Sequence, residues 1–119
     1  MTSVEPFTAT LPPDPAHLHT LRQDVASWLG QLGIDGEVRD SVVIATHEAV
    51  ASAMMSPGQV FVDATSNEET VSVVVTSADG WRSPDDDLGG QRMRIVRELV
   101  ENVSFERSGQ PSLRFQKTL

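Results

Sequence analysis

The chain has 119 residues, carries a formal net charge of −8 and contains no cysteine. That length suits one domain spanning residues 1–119, and the missing cysteine excludes a disulfide framework and a thiolate metal site. The acidic balance argues against a nucleic-acid-binding surface, and without a basic n-region or a long apolar run we expect a cytoplasmic protein with no membrane segment.

The first half of the chain predicts one strand and two helices. Residues 5–11 alternate in polarity and end at two prolines, which is typical of a strand at a sheet edge. Apolar residues then recur every three or four positions from Leu18 to Leu32, which predicts an amphipathic helix that Gly33 ends. Its apolar stripe is expected in the core, with a dimer surface as the alternative. A second helix is predicted over residues 37–55.

The second half of the chain predicts two strand pairs on either side of a third helix. Alternating valines favour the first pair of strands, which a polar turn joins. An acidic loop that contains glycine follows at residues 78–90. The predicted elements are strands at residues 59–65 and 71–77, a helix at 91–101, and strands at 103–107 and 112–118.

This order of elements favours an α+β fold. The helices come in a group and the strands pair mostly as hairpins, so one sheet should be covered on one face by about three helices. We therefore predict a two-layer α/β sandwich whose sheet is mixed but mostly antiparallel.

The second helix carries a carboxylate among small residues. Its residues 48–53 read EAVASA, which places Glu48 and Ser52 one turn apart on the same face. With the order of elements, this stretch resembles the E-x-x-x-N-A motif of the Bergerat-fold (GHKL, histidine-kinase-like) ATPase domain. More narrowly, it resembles the anti-sigma regulatory factors of the serine-protein-kinase type. The resemblance implies that Glu48 is the catalytic base and that Ser52 stands where an asparagine holds Mg²⁺.

The segment after the predicted hairpin resembles the adenine-binding motif of that family, V-x-D-x-G continuing x-W-R-x-P. Residues 75–84 read VTSADGWRSP, so Ser77 stands in place of the adenine-binding aspartate and Asp79 in place of the glycine. The change to serine loses a charge-assisted hydrogen bond of about 1.5–3 kcal/mol. A slipped register would make Asp79 the adenine ligand, at the expense of the Trp-Arg-x-Pro match. Trp81 is interpreted either as a loop anchor or as a partner contact.

A glycine pair before the third predicted helix resembles the lid motif of the family, roughly G-G-x-G-L. Residues 89–93 read GGQRM, so Gly89 and Gly90 match while Arg92 replaces the inner glycine. The resemblance implies that backbone amides here meet the nucleotide phosphates at a helix N-terminus. Arg92 lacks the backbone freedom of glycine, but its guanidinium group is able to pair with phosphate.

The predicted architecture of the family is retained, while most residues that would contact the nucleotide are replaced. We therefore expect an anti-sigma-factor-like regulatory domain with a degenerate ATP site. The resemblance implies a sigma factor or a STAS-type anti-sigma antagonist as partner, a homodimer as the usual assembly, and ATP with Mg²⁺ as cofactors if the site functions. The alternatives are an active ATP-dependent serine/threonine protein kinase, with Glu48 as base and Mg²⁺ on Ser52, and a small-molecule sensor.

Overall fold

The computed structural model describes residues 5–78, 81, 87–107 and 109–119 of the chain. Within these residues there are five strands and three α-helices, and a short 3-10 turn at Pro15–His17 leads into the first helix. The elements in chain order are β1 (Phe7–Leu11), α1 (Leu18–Gln31), α2 (Gly36–Ala53), β2 (Val60–Ser66), β3 (Thr70–Ser77), α3 (Asp87–Leu99), β4 (Glu101–Glu106) and β5 (Ser112–Thr118).

The described strands form one sheet in the order β1-β2-β3-β5-β4, and its four pairings are all antiparallel. The predicted α+β sandwich with a mostly antiparallel sheet is confirmed, although the described strands include no parallel pair of the kind that a mixed sheet contains. The connections between β2 and β3 and between β4 and β5 are too short for the crossover that a parallel pair requires. As predicted, β1 lies at one edge of the sheet; β4 lies at the other.

The three helices cover one face of this sheet. Every second side chain of β2 and β3 points toward the helices and is buried, as the alternating valines predict. α2 packs against both α1 and α3 and lies over the sheet. The predicted stripe of α1 faces the core, with Leu18, Leu21, Val25, Trp28 and Leu29 buried. Among the described residues, no helix is long and apolar enough to cross a membrane.

Local signals fix the position of α1. Asp14 caps the 3-10 turn, since its Oδ1 accepts a hydrogen bond from the Ala16 N–H at 3.0 Å. Gly33, just past the helix, has a φ of 76°, a left-handed conformation that glycine adopts without strain. Trp28 donates its indole N–H to the Glu5 carbonyl oxygen at 2.9 Å, which ties the segment before β1 to the helix.

The predicted start of the third helix is wrong. α3 begins at Asp87 rather than at residue 91, so Gly89 and Gly90 lie in its first turn instead of in a loop. The glycine pair suggested a loop because glycine disfavours a helix interior. An aspartate at the start of a helix is stabilised by the helix dipole, which favours the earlier start.

The boundaries between the third helix and the fourth strand also differ from the predicted ones. α3 ends at Leu99, and β4 begins at Glu101 rather than at residue 103. Asn102 has a φ of 55°, and the pairing register between β4 and β5 shifts just after Glu101. Such a bulge lets a strand continue through an irregular residue, which an alternation pattern does not anticipate.

Candidate functional site

Helices α2 and α3 run in opposite directions over the sheet. The C-terminal part of α2 lies near the end of β3, because Ser52 contacts Trp81, four residues past that strand. α3 ends at the opposite end of the sheet, where Lys117 Nζ donates a hydrogen bond to the Leu99 carbonyl oxygen at 2.9 Å. The middle of α2 therefore lies beside the first turns of α3, where the predicted base and the predicted lid residues are found.

Glu48 of α2 and Arg92 of α3 form an ion pair at this contact. Arg92 Nη1 lies 2.7 Å from Glu48 Oε2, and the side chains are 37% and 17% exposed, respectively. Sequence reasoning treated the two residues separately, as a base and as a replaced glycine. In the structure a carboxylate oxygen that would act on an attacking group already accepts a charge-assisted hydrogen bond from a guanidinium group.

Ser52 makes the second contact of the site, with Trp81. The indole Nε1–H of Trp81 donates to Ser52 Oγ at 3.3 Å, and both side chains are buried. The indole ring also packs against the Phe105 ring of β4 in an edge-to-face arrangement, with ring centroids 5.2 Å apart and ring planes at 82°. Of the two interpretations of Trp81, the structure supports the loop anchor.

Of the remaining predicted residues, the structure describes Ser77, Gly89 and Gly90. Ser77 is the last residue of β3 and is fully buried, and its backbone N–H donates to the Pro111 carbonyl oxygen at 3.0 Å. Gly89 and Gly90 lie in the first turn of α3, less than one turn before Arg92. Asp79 lies outside the described residues. The structure thus pairs Glu48 with Arg92, while Ser52 accepts a hydrogen bond from Trp81, a motif residue that was given no role in holding Ser52.

His47 lies next to Glu48 on α2, and the charge of Arg22 of α1 also acts on it. Its Nδ1 is buried and has no hydrogen-bond partner among the described residues. Burial lowers the pKa of His47, the Glu48 carboxylate opposes this effect, and the guanidinium groups of Arg22 and Arg92 add to it. The folded protein therefore favours the neutral imidazole.

We expect this histidine to make stability depend on pH. Because the pKa of His47 is lower in the folded chain, the unfolded chain takes up a proton first as the pH falls below about 6.5. The free energy of unfolding should therefore fall between about pH 7.5 and about pH 5.5, and His47→Gln should reduce that slope. Urea unfolding at several pH values measures it, with His17→Gln at an exposed position as the matched control. An unchanged slope in His47→Gln would contradict the assignment.

The arrangement fits a Mg²⁺-nucleotide poorly. Ser52 Oγ, in the metal-ligand position, accepts a hydrogen bond from a buried indole, and Glu48 is engaged by Arg92. In the described part of the chain, no three histidine, aspartate or glutamate side chains are grouped so as to hold a metal ion. Ser77 offers a hydroxyl group in place of the carboxylate that would accept hydrogen bonds from an adenine amino group.

Two contacts near the candidate site escaped sequence reasoning. Trp81 was interpreted as a loop anchor or a partner contact, but its hydrogen bond to Ser52 was not predicted. Arg22 of α1 was not considered at all, although its charge acts on His47. For Trp81 a signal existed, because a serine in place of an asparagine leaves room on the α2 face for a buried ring. For Arg22 there was none, since the packing of α1 against α2 sets its position.

Comparisons with known proteins agree with this fold. A family model described as a histidine kinase-like ATPase domain matches residues 11–117. Thirteen chains of solved structures match. One is the crystal structure of the RsbU and RsbW domains of Rv1364c from Mycobacterium tuberculosis, with a TM-score of 0.75 and 20% sequence identity. That match covers 95% of this chain and 32% of the other, so this chain spans about a third of its length. No curated protein matches.

Proposed function

The chain belongs to the family of histidine kinase-like ATPase domains, and from this premise we propose that it is an anti-sigma-factor-like regulator that acts by binding a protein. Its partner would be a sigma factor or a STAS-type antagonist, through which it would control transcription in the cytoplasm. In this proposal the nucleotide site is degenerate and the domain is a pseudoenzyme. The match to a structure that contains an RsbW domain supports a regulator of this type.

The observation that carries the proposal is the ion pair between Glu48 and Arg92. For Glu48 to serve as a base, Arg92 would have to leave a 2.7 Å contact that is partly shielded from water. Arg92 also stands where the family motif has a glycine, so its side chain occupies space beside the first turn of α3. An arginine in place of this glycine therefore closes an open approach for phosphate and also holds the Glu48 carboxylate in an ion pair.

The contact between Ser52 and Trp81 supports the same conclusion independently. The Ser52 hydroxyl lies in a buried position and already accepts a hydrogen bond. A metal ion would need several oxygen ligands there. Mg²⁺ requires a near-octahedral set of ligands and loses its bound water molecules reluctantly. Ser52, which stands in place of the asparagine, is thus part of an internal packing contact.

A titration with Mg-ATP tests the nucleotide half of this proposal. We expect no change in the melting temperature of the chain at millimolar Mg-ATP. An active kinase at 100 times its Kd would gain about 2.7 kcal/mol, which raises the melting temperature of a domain this size by roughly 10 °C. Phosphorylation of a STAS-type protein that is lost in Glu48→Ala would establish the rival function, an ATP-dependent serine/threonine kinase.

The partner half needs a separate measurement. Purified chain should bind a sigma factor or a STAS-type protein in isothermal titration, with the same Kd in the presence and absence of Mg-ATP. A Kd that changes when Mg-ATP is added would contradict the proposal of a degenerate site, but it would still agree with a regulator that acts by binding a protein. If no such protein binds, the proposed partner class is wrong.

A further inference from the structure

A groove of about 590 Å³ lies between β1 and α1. Two aromatic rings line it, those of Phe7 and Trp28, and their centroids are 6.1 Å apart. The indole of Trp28 is held in place, because its N–H donates to the Glu5 carbonyl oxygen at 2.9 Å. The groove therefore has an aromatic wall of fixed orientation.

The charged side chains that line this groove, within the described part of the chain, are two carboxylates and no cation. Glu5 lies in the segment before β1, and Asp24 lies one turn before Trp28 on the same face of α1. Arg22 is two residues from Asp24, so the two side chains do not face each other. Carboxylates form charge-assisted hydrogen bonds with ammonium and guanidinium groups, and an indole adds a cation–π contact. The lining therefore suits a basic side chain.

The edge of the sheet beside the groove is open to a further strand. Among the described residues, no strand pairs with the outer side of β1. β1 reads FTATL, with no charged residue, and its five residues pair with β2 in continuous register. β4, at the other edge, carries two glutamates, a register shift and the left-handed residue Asn102, and such features discourage strand addition.

The register of the sheet shows which backbone groups of β1 face outward. The Ala78 N–H donates to the Gln59 carbonyl oxygen at 2.8 Å, so these two residues form a hydrogen-bonded pair that continues the β2–β3 register. Such pairs alternate along an antiparallel ladder, so the odd residues of β2 bond to β3 and the even residues bond to β1. The even residues of β2 lie opposite the odd residues of β1. Thr8 and Thr10 therefore direct their N–H and C=O groups away from the sheet.

An added strand would present alternate side chains to the groove. Its residues opposite Thr8 and Thr10 would exchange main-chain hydrogen bonds with them. Its residues opposite Phe7 and Ala9 would point to the helix side of the sheet, because the β2 partners of these two positions are buried under the helices. The groove would thus receive every second side chain of the incoming segment.

We propose that the β1 edge and the groove beside it form a docking site for an extended basic segment of a partner protein. The segment would pair with β1 as a further strand and place an arginine or lysine side chain beside the Glu5 and Asp24 carboxylates, against Trp28. Main-chain hydrogen bonds would supply affinity, and the groove would select basic residues at alternate positions. The site does not involve Glu48 or Ser52, so its test and the Mg-ATP titration succeed or fail independently.

Two synthetic peptides test the charge preference. In isothermal titration, a heptapeptide TRTRTRT with blocked ends should bind the chain, and the acidic TETETET should not. Glu5→Gln combined with Asp24→Asn should weaken the binding of the arginine peptide about tenfold. The matched control combines Asp40→Asn with Glu98→Gln, which removes the same charge at two exposed positions outside the groove. An equal loss in both variants would mean attraction to an acidic chain in general and would overturn the proposal.

Backbone methylation of the peptide tests the strand pairing without any change to the protein. When the arginines occupy the groove, the threonines lie opposite Thr8 and Thr10 and direct their N–H groups to β1, whereas the arginine N–H groups point away. N-methylation of the threonines should therefore weaken binding by about tenfold or more. N-methylation of the arginines, the matched control, should leave the Kd nearly unchanged. Equal effects of the two methylations would contradict strand addition.

A second copy of the chain is the competing occupant of this edge. If the arginine peptide does not bind, the proposal is wrong. Light scattering then identifies the alternative, since a mass of twice the 12.9 kDa of one copy would indicate that the chain pairs with itself. If the arginine peptide binds with the expected methylation pattern, the edge accepts a basic strand.

Discussion

Restoring the four family residues is expected to give the chain a micromolar affinity for Mg-ATP, which the proposed degenerate site would lack. The substitutions are Ser52→Asn, Ser77→Asp, Asp79→Gly and Arg92→Gly. Ser77→Asp alone should contribute about 10- to 150-fold, the range of a charge-assisted hydrogen bond. Arg92→Gly releases Glu48 from its ion pair and returns an open approach to the start of α3. Isothermal titration measures the gain.

Matched variants make this result specific. Arg94→Gly places the same substitution on an exposed position of α3, two residues from Arg92, and should give no gain in affinity. A variant that carries the other three substitutions but keeps Arg92 should bind Mg-ATP far more weakly than the variant with all four. If Ser52→Asn with Arg92→Gly binds Mg-ATP and Asp79→Ala then removes that binding, the slipped register is correct and Asp79 is the adenine ligand.

Replacing Trp81 by alanine is expected to destabilise the chain by about 3–5 kcal/mol, the range for truncating a large buried aromatic side chain. Trp81 is 5% exposed, packs edge-on against Phe105 and bonds Ser52. This is a large part of the stability of a domain this size. Urea unfolding followed by circular dichroism measures the loss. A cost below about 1 kcal/mol would mean that Trp81 is not part of the core.

A double-mutant cycle separates ring packing from the hydrogen bond. Trp81→Phe keeps an aromatic ring and removes the N–H, and Ser52→Ala removes the acceptor. Each single change leaves a buried polar group unpaired, while the double change leaves neither, so we expect a coupling energy of about 1 kcal/mol between the two. Additive effects would show that the 3.3 Å contact adds nothing beyond packing.

Sequence patterns were sufficient for most of the fold because they are local. Alternation of valines along β2 and β3 follows from burial on one face of a pleated strand, and β5 was predicted at its observed bounds. The spacing of apolar residues in α1 likewise records a single buried face. Local signals failed where two tendencies compete, as at Gly89 and Gly90, where a favourable acidic helix start outweighs two helix-disfavouring residues.

The candidate site was harder to predict because its contacts join distant parts of the chain. Arg92 and Glu48 are 44 residues apart, and Trp81 and Ser52 are 29 apart. Motif comparison identified which positions differ from the family motifs, but it considered each difference only by its effect on a contact with the nucleotide. The structure instead relates the changes to one another, since the new arginine meets the retained glutamate and a tryptophan meets the new serine.

The two tryptophans give the chain a pair of built-in optical reporters. The chain has no tyrosine, so the tryptophan emission of Trp28 and Trp81 carries no tyrosine contribution. Trp28 lines the groove beside β1, and Trp81 contacts Ser52 at the candidate site. Emission from a Trp81→Phe variant therefore follows events at the sheet edge, and emission from a Trp28→Phe variant follows events beside α2. Changes beside β1 and changes at the candidate site are thus observable separately in the same chain, without an attached dye.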